Sequence, residues 1–420
     1  MSINAFDRHT IRELAKRQAE IAALPVMLER KKRWYGINDG KTEYPLVTME
    51  FHGREDEVYP PLVCENPRIR DIERQLRHRI FAHEHYRDDR VIPACIHLHI
   101  PNSVTPFGWR APTTTTRYAD GSASIGYMYV HLIHDLEEDW EKIGNTEFCV
   151  DSFLSGAKAS QNETEDILGD ILPVKLVFPS FYFSPANILC AMMGMETMFC
   201  SIMDYPELFH RTMRRLTDDF HAYIDALEEG GAILPNNDSS LVNQDSYGYT
   251  NDLPSADEIH RSVRLTDVWG HSNFQETVGM SVPMFSEFFF CYMKEITDRC
   301  GLLSYGCCEP VHTLWEPCLS KLHNLRKLSV SPWSDEEALG EMLRGTKIVY
   351  HRKPFPNHIS VSDVFDENAF YAHMAKTVKA ARGCPLEVTF RDICSVRGEP
   401  QRLGRAVELT RKAFADHWQG

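Results

Sequence analysis

The sequence predicts an α/β protein built on a (β/α)8 TIM barrel, with an N-terminal helical extension and an insertion over the barrel mouth. Three observations carry this. Eight short β-rich runs recur at 91–98, 172–178, 232–234, 265–269, 302–305, 325–330, 347–350 and 386–390. Helical patterns separate many of them, and such alternation favours parallel strands. The 420 residues accommodate one barrel of about 250 residues plus long additions.

Taken in order, residues 5–32 place Ile11, Leu14, Ala15, Ile21, Leu24, Met27 and Leu28 at helical spacing, predicting one N-terminal helix. A second helix is expected over 67–86, where Ile69, Ile72, Leu76, Ile80 and Phe81 form a stripe opposite Arg and Glu. Residues 1–90 are thus a helical extension packed on a barrel of 91–420. Between 106 and 151 the alternation fails. Thr113–Thr116, a strand near 125–130 and the acidic run Glu137, Glu138 and Asp139 read as an insertion over the mouth. Later helices are expected at 283–300, 309–322, 335–343, 367–381 and 402–418. No internal repeat or linker divides the chain.

With 43% hydrophobic and 25% charged residues the chain is of ordinary globular composition. Its formal charge of −15 argues against nucleic acid or anionic lipid as a broad electrostatic partner. The uncharged stretch 176–195 approaches a membrane span in length, but Pro179, Ser184, Pro185 and Asn187 spoil a continuous apolar helix. Asp7, Arg8, Arg12 and Glu13 interrupt any signal-peptide pattern, so a cytoplasmic location is expected. The 12 cysteines are then mostly reduced and buried, with a few ligating metal.

Chemistry in such a barrel comes from the carboxyl ends of strands. That rule nominates His97 and His99; Trp269, His271, Asn273, Gln275 and Glu276; Tyr305, Cys307, Cys308 and Glu309; Trp333, His351 and Arg352; and Arg391, Asp392 and Cys394. Thiols, imidazoles and carboxylates are zinc donors. The Cys307-Cys308-Glu309 segment is the sharpest local feature. Adjacent strand residues face opposite ways, so one cysteine lines the pore unless the strand has already ended, and alternation with Tyr305 favours Cys307. Burial as small apolar residues is the competing reading. His97 and His99 share a face and read as metal ligands or as a hydrogen-bonded pair. The methionines at 192, 193, 195, 198 and 203 read as core. The chain has no phosphate loop, dinucleotide turn or C-x-x-C pair.

The segments Glu276-Thr277-Val278-Gly279, Phe288-Phe289-Phe290, Gly301-Leu302-Leu303-Ser304-Tyr305-Gly306-Cys307-Cys308-Glu309-Pro310, Ser329-Val330-Ser331-Pro332-Trp333 and Arg352-Lys353-Pro354 resemble the uroporphyrinogen decarboxylase-like superfamily. The likeness is to its anaerobic bacterial branch, related to zinc- and cobalamin-dependent methyltransferases. The resemblance implies a methyltransferase of one-carbon metabolism, moving a methyl group between a small ether, amine or thiol and a corrinoid on a separate protein. It also implies a homodimer, the usual state of the decarboxylases, and zinc on Cys307, Cys308 and Cys394. The family's fifth-strand histidine is replaced by Tyr305, leaving Cys308, Glu276 or His351 as substitutes. In this reading Glu276, Glu309 or His351 delivers a proton, and His97, His99, Trp269, His271, Tyr305, Trp333 and Arg352 bind substrate. The rivals are a metal-dependent hydrolase using His97, His99, His271 and Asp392, a decarboxylase of a small acid, and a binding protein that docks a corrinoid partner.

Overall fold

The computed structural model describes residues 3–100, 111–117, 121, 123–143, 150–178 and 181–419. Among these the strands are β1 Leu46–Met49, β2 Ile96–His99, β3 Thr113–Arg117, β4 Ala123–Tyr129, β5 Val174–Val177, β6 Phe181–Tyr182, β7 Leu241–Asn243, β8 Ser246–Tyr247, β9 Trp269–Ser272, β10 Leu302–Tyr305, β11 Leu325–Val330, β12 Val349–Arg352 and β13 Leu386–Phe390. Seven of them form a parallel sheet in the order β1-β13-β12-β11-β10-β9-β6, and β2 and β5 form a separate parallel ladder. This frame is compatible with a barrel-like arrangement. β3 and β4 pair as an antiparallel hairpin outside the main sheet, within the expected insertion.

Four expectations need correction. The helix expected at 309–322 is only two single turns, His312–Leu314 and Leu319–Lys321, because Pro317 in its middle has no N–H to donate and clashes with the preceding turn. The single N-terminal helix is two, α1 Ala5–Ala22 and α2 Pro25–Asn38, because Leu24 before Pro25 is extended and the proline opens the second helix. The strand β1 had no counterpart in the β-rich runs, yet it pairs with β13 along its whole length. Conversely, 232–234 is not a strand. There the Asn236 side chain takes the place of a ladder partner, accepting from Trp269 N–H at 2.9 Å and donating to Trp269 C=O at 3.0 Å.

The helix α3, Pro67–Phe81, forms as expected. Asn66 caps it, Pro67 opens it, and Ile69, Ile72 and Leu76 are buried. The helices Pro185–Asp204 and Pro206–Glu229 follow β6. The first is long and apolar enough to cross a membrane by composition. It breaks its helical geometry at Gly194 and buries Leu189, Met192, Met193, Met198 and Ile202 in the main core.

Strand register sorts the sheet into two faces. Val47, Val388, Tyr350, Leu328 and Leu303 meet the apolar stripes of the helices Glu336–Leu343, Glu367–Ala380 and Gln401–His417 and of the chain's other covering segments. The opposite face carries Thr48, Thr389, Glu387, His351, Ser329, Lys327, Ser304, His271 and Tyr182, all in register across neighbouring strands. These polar groups bond one another. Lys327 Nζ meets Glu387 Oε2 at 2.9 Å with both side chains fully buried. The hairpin β7-β8 closes over this face, with Asn243 Nδ2 donating to Ser304 Oγ at 3.0 Å and Lys327 Nζ to Ser246 Oγ at 2.6 Å.

Candidate active site

At the carboxyl ends of β9, β10 and β13 lies a cavity of about 420 Å³ lined by polar side chains, among them Tyr182, Gln244, His271, Cys307, Cys308, Arg391 and Asp392. β10 ends at Tyr305, and Gly306 turns the chain with φ of 97°. A Cβ at Gly306 would also stand 3.0 Å from the Ser329 side chain, so glycine suits the turn on two counts. Because the strand has ended, the alternation rule lapses and both cysteines reach the cavity. Glu309 fixes the turn: its carboxylate accepts from Cys307 N–H at 2.9 Å and from Phe274 N–H at 3.0 Å.

The Cys307 sulfur is the chemical centre. It lies 3.7 Å from Cys308 Sγ, 3.2 Å from Gln244 Nε2 and 3.8 Å from Arg391 Nη1. The Cys308 thiol donates to it and, with Lys353, Arg391 and Gln244, outweighs the cost of burial, drawing Cys307 down to about 5. Cys308 is correspondingly held protonated. The two shifts run in opposite directions, favouring the charge on Cys307 over Cys308. Lys353 Nζ reaches Gln244 Oε1 and Gly306 C=O, and burial lowers its own pKa. Burial, helped by Lys353, pushes His271 down to about 3. Its ring is therefore neutral, with Nδ1–H donating to Ser304 C=O at 3.0 Å and the face stacked on Tyr182.

The other nominated residues scatter, for reasons of register. Tyr305 is fully buried on the helix-facing side of β10, opposite in parity to Ser304. Arg352 likewise points to the helices, where it meets Glu336 at 2.8 Å. Trp269 begins β9 and so lies at the end of the sheet away from the cavity, donating to Gly248 C=O. His351 is sealed inside, with Nε2 2.9 Å from Thr389 Oγ1. Glu276 accepts from Asn187 at 2.9 Å beside the cavity's Gln275. Trp333 is exposed and packs edge-on against Phe355, and Cys394 is exposed with its sulfur 3.5 Å from Asp392 C=O. His97 and His99 line a different cavity of about 750 Å³ beside α1 and α3, where His97 Nε2 meets Ser239 Oγ at 3.2 Å. Gln244, Lys353 and Tyr182 were missed as site residues. Lys353 was recoverable: it follows Arg352 and alternation turns it inward.

The donor set was tested for zinc. Two sulfurs 3.7 Å apart suit a tetrahedral ion with bonds of about 2.3 Å. Among the described residues, however, no three His, Cys, Asp or Glu side chains converge as a metal site, and the cations Lys353 and Arg391 already attend Cys307. The residues as arranged do not fit zinc.

No known protein-family profile matches the chain, and no curated protein does. Among solved structures, a methyltransferase from Methanosarcina mazei is similar, with a TM-score of 0.52 at 12% identity over 92% of this chain and 99% of that one. The two share a fold. Larger cavities exist elsewhere on this chain, including one of about 590 Å³ between outer helices near Glu341 and Lys379. Neither it nor the His97 cavity holds an activated side chain of Cys307's kind.

Proposed function

We propose that the chain is a methyltransferase on a uroporphyrinogen decarboxylase-like (β/α)8 barrel, in which β1, β2, β5 continued by β6, and β9 to β13 are the eight staves. The helical part of residues 1–90 then packs on that barrel. The observation that carries the reading is the Cys307 sulfur at the carboxyl end of β10, facing a polar cavity beside Gln244 and Arg391, with the Cys308 thiol and the nearby cations lowering its pKa. The fold shared with a methyltransferase supports it.

Methyl transfer is an in-line displacement at carbon and needs a soft, desolvated nucleophile. The Cys307 sulfur attacks the methyl group of a small ether, amine or thiol. The S–C bond forms as the carbon–heteroatom bond breaks, and solvent at the open mouth protonates the leaving atom. If the methyl group were then taken by the cobalt(I) form of a corrinoid carried by a separate protein, Cys307 would return to the thiolate, which Lys353 and Arg391 stabilise.

Free methylcobalamin with a panel of small thiols, assayed anaerobically by loss of the cobalt–methyl absorbance, runs the exchange in the direction from cobalt to thiol. The protein should accelerate it, and Cys307→Ala should reduce the rate by at least about a thousandfold, some 4 kcal/mol of barrier. An unaccelerated reaction, or a Cys307→Ala variant as active as the parent, overturns the reading. The hydrolase alternative has no support in the geometry: His97 and His99 stand in one cavity and His271 and Asp392 in another.

A further inference from the structure

We propose that Cys307 and Cys308 form a reversible dithiol–disulfide pair, a redox modification site that removes the reacting sulfur from the mouth cavity when a low-molecular-weight disulfide is present. The two sulfurs are 3.7 Å apart, already in contact, and both line the cavity. One is buried and the other exposed, so an incoming disulfide meets the pair from the open side. Among the described residues no other two cysteine sulfurs touch. Gly306 and the Glu309 carboxylate hold the backbone of the turn.

The exchange balances. The Cys307 sulfur attacks a small disulfide RSSR, forming a mixed disulfide and releasing RS⁻. The Cys308 thiol gives its proton to the released RS⁻ and attacks Cys307 Sγ, closing the protein disulfide and releasing the second RS⁻, which takes a proton from solvent, so that the two protein sulfurs are oxidised and RSSR is reduced to two RSH. Arg391 and Lys353 beside Cys307 favour the first step. Neighbouring Cα atoms are about 3.8 Å apart across a trans peptide, less than the roughly 4.4–6.8 Å that unstrained disulfides span. The closed ring is therefore strained, and strained disulfides are readily reduced. The pair rests reduced and resets when the small thiol pool recovers.

The full-length protein, reduced and then treated with oxidised glutathione, is quenched with acid, alkylated with iodoacetamide and digested. The peptide carrying Cys307 and Cys308 should lose two hydrogens, its alkylation falling by at least about tenfold, and dithiothreitol should restore it. In Cys308→Ser, whose altered side chain is exposed, glutathione should remain on Cys307 as a mixed disulfide. A wild-type protein that stops at the mixed disulfide, bridges to another cysteine, or carries zinc on both sulfurs and resists oxidation overturns the proposal. This outcome is separable from the methyl-transfer reading, since the disulfide is scored by mass without any methyl donor.

Discussion

Two cavities on this protein hold residues that the sequence marks for chemistry, and they differ in what stands behind them. The cavity beside β2 presents His97 and His99, backed by the apolar Ile69, Ile72 and Ile167 of the surrounding helices. Burial there lowers both imidazoles, His97 to about 2, so they stay neutral. The cavity over β10 is smaller, yet behind it run the in-register polar side chains Glu387 and His351, and Lys327, Ser304 and His271, with Lys353 just past the end of β12. Lys353 and Arg391 act on the Cys307 sulfur, where positive charge favours the thiolate. At β2 the cations Arg79 and Lys175, the latter in register with His97 and paired with Asp238, only push an imidazole further toward its neutral form. Cavity size is thus a poor guide to reactivity here; the charge arranged behind the wall separates the two.

The comparison can be broken at its base. In Lys327→Met the Glu387 carboxylate is left buried without its cation, and a loss of about 3–5 kcal/mol of stability is expected by urea unfolding. The double variant with Glu387→Leu should recover most of it, and a single variant as stable as the parent would show that the ion pair is not structural. Asn236→Ala strands the Trp269 N–H and C=O, and about 2 kcal/mol should be lost in the same measurement. Lys353→Met sharpens the contrast without touching the core pair: the Cys307 alkylation midpoint should rise by about one pH unit, equivalent to about 1.4 kcal/mol. The smallest effect belongs to the β2 cavity. His97→Gln combined with His99→Gln should leave methylcobalamin consumption within about twofold, and a loss beyond tenfold would move the chemistry to that cavity.

Much of the fold was legible because a run such as 386–390 alternates the apolar Leu386, Val388 and Phe390 with Glu387 and Thr389, while α3 announces itself by cap, proline and stripe. β1 escaped because Leu46–Met49 is short and lies within a segment dominated by helices, and its role as neighbour of β13 is a contact between the two ends of the chain. The site was legible in Cys307 and Cys308. Its electrostatics were not, since Gln244 arrives from a hairpin laid across the sheet, and no local pattern encodes that long-range placement. Trp269 shows the cost of a small register error: a strand read as 265–269 places it at the mouth, whereas the strand Trp269–Ser272 places it at the far end.

Both the methyl-transfer and the disulfide proposals need Cys307 ionised in the folded protein at neutral pH, its charge stabilised by Cys308, Lys353, Arg391 and Gln244. Its pKa is depressed, so the reactive form persists above the folded value and is lost as pH falls through it. The direct measurement is the rate of iodoacetamide alkylation of Cys307, followed by peptide mass from pH 4 to 10. A midpoint near 5, with Cys307 modified ahead of the more exposed Cys308, is the expected result. A midpoint near the ordinary thiol value of about 8.5, or modification of Cys308 first, would contradict it.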